Sequence, residues 1–95
     1  MENLPPCEVE RCVCRVAEHF RRAKGMLQKD VAVLMGVSRS VVTKNEGGRH
    51  LRVSELHRFC RAVEIRPVDF LDRMEDEMER VEKEMRKRRR TGGVS

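Results

Sequence analysis

Apolar positions between residues 28 and 44 fall into two short helical patterns separated by a glycine. In Gln28-Lys29-Asp30-Val31-Ala32-Val33-Leu34-Met35, the residues Val31, Ala32 and Leu34/Met35 share one side of a helix. After Gly36-Val37-Ser38, Val41 and Val42 form the apolar side of a second helix, opposite Arg39, Ser40, Thr43 and Lys44. Two helices of this length joined by so tight a connection make a helix-turn-helix. Small Ala32 lets the helices approach closely, Gly36 suits a left-handed turn residue, and Ser38 is placed to cap the helix that follows.

The flanking pattern is helical as well. Val9, Val13, Val16, Ala17 and Phe20 line one face of a first helix from about Val9 to Lys24, with Gly25 as its stop. Gly47-Gly48 ends the helix over 39–46 and opens a basic loop, Arg49-His50-Leu51-Arg52. Ser54 is positioned to cap a fourth helix with Leu56, Phe59, Cys60 and Val63 on its core side, and Pro67 marks the break after it. A fifth helix from near Val68 to Arg90 would be about 33 Å long. On it Leu71, Met74, Met78, Val81 and Met85 recur at steps of three and four, a heptad seam read first as a dimer contact, with two alternatives: Leu71 and Met74 docking on their own domain while the rest projects into solvent, or a helix that binds another protein. Acid-first pairs one turn apart, such as Glu79/Lys83 and Glu82/Arg86, support this helix locally. The expected organisation is a disordered N-terminal arm over 1–8, a helix-turn-helix domain over 9–68, a long C-terminal helix over 69–90 and a disordered tail over 91–95.

Composition narrows the functional class. No alternating β-branched run competes with the helical periods across the 95 residues, so the fold class is all-α: a compact five-helix domain with an extended C-terminal helix. Three Phe and no Trp or Tyr argue against the stacking surfaces of single-stranded nucleic-acid binders. The chain lacks both a membrane-length apolar run and the apolar core of a secretory signal, which predicts a cytoplasmic, nucleoid-associated protein with no membrane contact. Cys7, Cys12, Cys14 and Cys60 lack the paired spacing of common zinc sites and read as reduced thiols, buried or idle. A metal or thiol sensor built on Cys7, Cys12, Cys14 and His19 is the lesser reading. His19, His50 and His57 fall on separate elements, and neither a nucleophile-base pair nor a phosphate loop is recognisable, so neither an enzyme nor a cofactor is expected.

Charge locates the partner. Between residues 21 and 52 stand Arg21, Arg22, Lys24, Lys29, Arg39, Lys44, Arg49 and Arg52 against only Asp30 and Glu46. The chain as a whole is +5, so the positive field is concentrated on the two-helix motif, as a phosphate-binding surface requires. The terminal run Arg86-Lys87-Arg88-Arg89-Arg90 complements the dipole of the fifth helix.

From Val13 to Leu71 the chain resembles the lambda repressor and Cro class of helix-turn-helix domains, the XRE family. The resemblance rests on Arg21 with Gly25 before the motif, then Gln28, Ala32, Gly36, Val37-Ser38, Val42, Glu46 and Gly48, and finally Leu56 and Val63. It implies a sequence-specific double-stranded DNA-binding regulator, a repressor acting as a homodimer. By that resemblance Ser38, Arg39, Ser40 and Lys44 face base edges, Gln28 meets a phosphate, and Arg21 pairs with Glu46. With the helix over 39–46 in the major groove, Thr43 joins the base-reading set, and Lys29, Arg49, His50 and Arg52 join the phosphate set. Arg39 is the best placed for a bidentate contact to guanine. Three positions depart from the family pattern: Leu27 where a capping residue is usual, Asn45 where an apolar residue is usual, and Glu64 in place of a common Gly. The alternative function is an antitoxin or adaptor whose C-terminal helix binds a partner protein.

Overall fold

The structure, a computed structural model, describes residues 4–48 and 51–92, with side chains up to residue 88. Among these residues there are five helices and no strand: α1 (Pro6–Ala23), α2 (Gln28–Met35), α3 (Arg39–Glu46), α4 (Val53–Ala62) and α5 (Pro67–Gly92).

Three of the interhelical turns are built alike. One or two residues past each helix the chain takes a left-handed conformation, at Gly25 (φ 68°), Gly36 (φ 70°) and Glu64 (φ 56°). The next amide then reaches back to a carbonyl in the last turn: Met26 to Arg21, Val37 to Ala32 and Ile65 to Cys60, at 3.1, 3.0 and 2.9 Å. Glycine adopts this conformation freely. Glu64 does so against the clash of its Cβ with the backbone, which costs about 1 kcal/mol. The family's usual Gly is thus replaced without any change in backbone geometry.

Helix starts differ from the expected ones. Pro6 opens α1, since proline at the first helical position gives up an amide that has no intrahelical acceptor anyway. The expected disordered arm over 1–8 is therefore only partly an arm: residues 6–8 are helical and Leu4 is buried. Ser38 has the extended backbone of a cap, but its hydroxyl lies 2.9 Å from the Ser40 hydroxyl and caps nothing. Ser54 lies inside α4, which begins at Val53 with Arg52 before it. Leu27 has no polar side chain with which to cap α2. Asp30 compensates from within the first turn, its carboxylate accepting the Leu27 amide proton at 2.9 Å. At the other end, α5 runs through Gly92, past the expected limit at Arg90.

The main core is built from Val16 and Ala17 of α1, Val31, Ala32 and Met35 of α2, Val42 of α3, Phe59, Cys60 and Ala62 of α4, and Phe70 of α5. Phe70 is fully enclosed, its ring edge-on to Phe59 with centroids 6.0 Å apart and stacked on Phe20 at 6.1 Å. Leu34, expected with Met35 on the core side of α2, is exposed, while Met35 is buried.

A second, smaller core lies outside the five-helix unit proper. Leu4 and Cys12 pack with Val81, and Val9, Met78 and Met85 close around them. Arg15 of α1 reaches Glu77 of α5 at 3.0 Å, and Arg80 grips the same carboxylate at 2.7 Å. Contacts advance in opposite senses, Phe20 with Phe70 and Arg15 with Glu77, so α1 and α5 form an antiparallel pair. The stripe Leu71, Met74, Met78, Val81 and Met85, expected as a dimer seam, is thus largely covered within its own chain. Met74 packs on the main core, Met78, Val81 and Met85 pack on α1 of the same chain, and only Leu71 remains exposed, at 50%. A heptad stripe specifies that an apolar partner exists; here the first helix is that partner.

Candidate nucleic-acid interface

The side chains that join α1, α2 and α3 form one hydrogen-bonded network. Arg21, near the end of α1, donates from Nε and Nη2 to the two carboxylate oxygens of Glu46, at 2.7 and 3.0 Å, and from Nη1 to the Met26 carbonyl at 2.8 Å. Both side chains of the pair are at least nine-tenths buried. The fork geometry fixes the last turn of α3 against α1, and the hydrogen bonds to Glu46 push the Arg21 guanidinium further above its already high pKa. The expected structural pair is therefore formed.

Gln28 extends the network to the start of α2. Its Nε2 donates to Glu46 Oε1 at 3.2 Å, and its Oε1 accepts from the Thr43 hydroxyl at 3.0 Å. The amide bridges α2 and α3 and is held in one orientation by a carboxylate on one side and a hydroxyl on the other. Thr43 Oγ1 also lies 3.1 Å from the Arg39 carbonyl. Its single proton is thus engaged by Gln28 or the backbone, which leaves Thr43 only acceptor capacity for a base edge. Sequence reasoning had placed Thr43 among the free readers and missed this clamp; two polar residues on facing turns of a helix-turn-helix were the available signal.

Around this network the polar side of α3 is open. Ser38, Arg39, Ser40, Thr43 and Lys44 are all exposed, while Val42 and Asn45 on the opposite side are buried. Arg39 lines a cleft together with Arg21, Leu27, Gln28 and Lys29, so three cations from three helices border one concavity. Such a cleft suits a backbone phosphate, with Gln28 at the first position of α2 beside its amides. Arg52 is exposed just before α4. Arg49 and His50, also expected at phosphates, lie outside the described residues.

Asn45 is the polar exception on the inner side of α3. It is 5% exposed, and its Oδ1 has no hydrogen-bond partner among the described residues. It does not rotate outward; the helix accepts the desolvation of one carbonyl group, a cost of order 1–3 kcal/mol.

The cysteines do not converge. Cys12 sits in the α1–α5 seam, Cys14 and Cys60 are buried elsewhere, and Cys7 is exposed. Burial raises the pKa of Cys12, Cys14 and Cys60, which favours the inert thiol over the thiolate. Among the described residues no group of three His, Cys, Asp or Glu side chains is arranged to hold a metal, and no helix is long and apolar enough to cross a membrane.

Comparison with known proteins agrees with this geometry. The helix-turn-helix domain family matches residues 15–74, more than half of the chain. No curated protein matches it. Among solved structures, the wild-type restriction-modification controller protein C.Esp1396I in a triclinic crystal superimposes with a TM-score of 0.74 at 24% identity, covering 77% of this chain and 96% of that one. A second wild-type structure of the same controller gives a TM-score of 0.72 at 25% identity over 76% and 95% of the two chains. The chain belongs to the helix-turn-helix domain family, in its lambda repressor and Cro-like form.

Proposed function

We propose that this protein is a sequence-specific double-stranded DNA-binding regulator, a cytoplasmic, nucleoid-associated repressor that acts as a dimer. The observation that carries the reading is the exposed row Ser38, Arg39, Ser40 and Lys44 on a helix locked to its neighbours by Arg21, Gln28 and Glu46. A reading helix must hold its side chains in fixed register with base edges, and a buried bidentate ion pair supplies that rigidity. Similarity to a restriction-modification controller protein supports the regulatory role.

In this reading α3 enters the major groove. Arg39 donates bidentately to guanine O6 and N7, Lys44 makes a second base contact, Ser38 and Ser40 adapt to their neighbours, and Thr43 accepts. Gln28, Lys29 and Arg52 hold phosphates, with Arg49 and His50 joining them from the loop between α3 and α4. One domain covers a half-site, and two copies separated by about 34 Å would read a symmetric site. Because α1 occupies the seam, α5 offers a second copy Leu71 and, one turn earlier, Val68, which is 43% exposed. An antitoxin-like partner would have to use the same exposed positions of α5.

Selecting bound fragments from a pool of random duplex DNA tests the proposal. A symmetric motif is the expected product. Arg39→Ala should then lose about 1–3 kcal/mol on that motif and little on random DNA, whereas Lys29→Ala should weaken both alike. Recovery of no preferred sequence at moderate salt would overturn it.

A further inference from the structure

The direction of each hydrogen bond can be followed from the buried ion pair out to the reading face of α3. The Glu46 carboxylate takes Arg21 Nε and Nη2 at 2.7 and 3.0 Å, and gripped in this way it has only lone pairs to offer a further neighbour. The Gln28 atom that faces it at 3.2 Å must therefore be the amide nitrogen, Nε2. Oε1 is then turned toward Thr43, 3.0 Å from the hydroxyl. An amide oxygen cannot donate, so the proton between them comes from Thr43. The second neighbour within reach of Thr43 Oγ1 is the Arg39 carbonyl at 3.1 Å, which again only accepts. Whichever of the two holds the proton, none is left to point outward. Yet Thr43 is exposed, and its oxygen keeps unshared lone pairs.

The other members of the exposed row behave differently. Ser38 and Ser40 share one hydrogen bond at 2.9 Å, so two hydroxyl protons serve one bond and the pair can still donate or accept. Arg39 and Lys44 only donate. Thr43, one turn after Arg39 and next to Lys44, is the fixed acceptor of this row. In the major groove, adenine N6 and cytosine N4 offer a donor at the place where thymine O4 and guanine O6 offer an acceptor. An oxygen with only lone pairs is attracted to the first two and repelled by the second two. A freely rotating hydroxyl would accept all four.

We infer that Thr43 is a specificity-determining residue that selects an amino base, adenine or cytosine, on the strand it faces and rejects guanine and thymine, because its only proton is committed to Gln28 and the Arg39 carbonyl. This rests on the reading of α3 as the helix that enters the major groove. The β-branched side chain suits the task, since a threonine bonded to a carbonyl one turn back has little rotational freedom in a helix. One neutral hydrogen bond to a base edge corresponds to a preference of roughly three- to tenfold.

The test selects duplexes from a random pool with the full chain and with its Thr43→Val and Thr43→Ala variants. Losing the bond to Gln28 weakens every duplex alike, so the readout is base preference rather than affinity. In the parent, one position of each half-site should be restricted to adenine or cytosine. Both variants should lose that restriction and keep the others. In the parent's preferred duplex, the amino group at that position is then removed, with purine in place of adenine or pyrimidinone in place of cytosine. The parent's affinity should fall roughly three- to tenfold and the valine variant's should not change. Guanine or thymine at the responding position would overturn the inference, and so would an equal effect of the amino deletion on both proteins. A loss of preference in the alanine variant alone would assign the contact to the methyl group and also overturn it. A parent with sequence preference that neither variant alters defeats this inference and leaves the α3 reading standing; a parent with no preference defeats both.

Discussion

Replacing Glu46 by Ala strands the Arg21 guanidinium. That group keeps the Met26 carbonyl at 2.8 Å but loses both carboxylate oxygens, and the Gln28 amide loses its acceptor at 3.2 Å. A buried cation left without its partner costs about 3–5 kcal/mol, a large share of the 5–15 kcal/mol typical of a small domain. Arg21→Ala leaves Glu46 buried with only Gln28 as donor and should cost a similar amount. The double replacement, Arg21→Met with Glu46→Leu, removes both charges and fills the space. It should recover at least about 2 kcal/mol relative to the sum of the single losses. Urea denaturation followed by circular dichroism measures all four corners of the cycle, and Glu46→Gln stands in if the alanine variant does not fold. Additive single losses, or a cost below about 1 kcal/mol for Glu46→Ala, would show that the network does not anchor α3. The double variant should also bind DNA less well than its stability suggests, because Gln28 has lost one of the two groups that orient it.

Four other outcomes follow from particular contacts. Val81→Ala should destabilise the chain by about 1–2 kcal/mol with no change in the mass of the assembly by light scattering, since Val81 packs on Leu4 and Cys12 of its own chain. Truncation after Arg73 should likewise unfold the start of α1, seen as lost amide protection there, rather than simply separate two subunits. Glu64→Gly should stabilise by about 0.5–1 kcal/mol in thermal melts, because the left-handed backbone at φ 56° then carries no Cβ. Arg80, with Arg15 assisting, holds Glu77 below the usual carboxylate pKa, so the bridge stabilises the fold above the unfolded-state value near 4.5 and is lost as pH falls through the lower folded value. In Glu77→Gln that part of the acid sensitivity should be missing from denaturation curves recorded at decreasing pH.

Much of this architecture was legible because local rules and the tertiary arrangement agree. Gly25 and Gly36 mark left-handed helix ends, and both take them. The apolar positions Val31, Ala32, Met35 and Val42 are the buried ones, and Arg21 finds Glu46. Capping was read less well. Serines at 38 and 54 have the chemistry to cap, but a cap needs its hydroxyl aimed at a free amide, and sequence does not give that direction. Asp30 does the capping for Leu27 from inside the helix, a role that its place as a first-turn acid permits but does not require. In the site, exposure of Ser38, Arg39, Ser40 and Lys44 followed from the period of α3. The Thr43–Gln28 bond did not, because it depends on the angle between two helices.

The α5 stripe shows why periodicity alone could not choose a dimer. Steps of three and four fix which side of a helix must be covered, and covering it lowers the free energy equally whether the partner is another chain or the same one. An intramolecular partner wins whenever it is present at the right register, because its association costs no translational entropy. Val9 and Cys12, one turn apart, continue the Val13 and Val16 face toward the start of α1 and offer such a partner. Cys12 completes that face, for a buried cysteine packs as a small apolar side chain. Once α1 is long enough to cover α5 up to Met85, any second copy must use what α1 leaves exposed. Leu71 and Val68 are therefore the positions at which a charge substitution should reduce the mass in solution, whereas a charge at Met78 should reduce stability first.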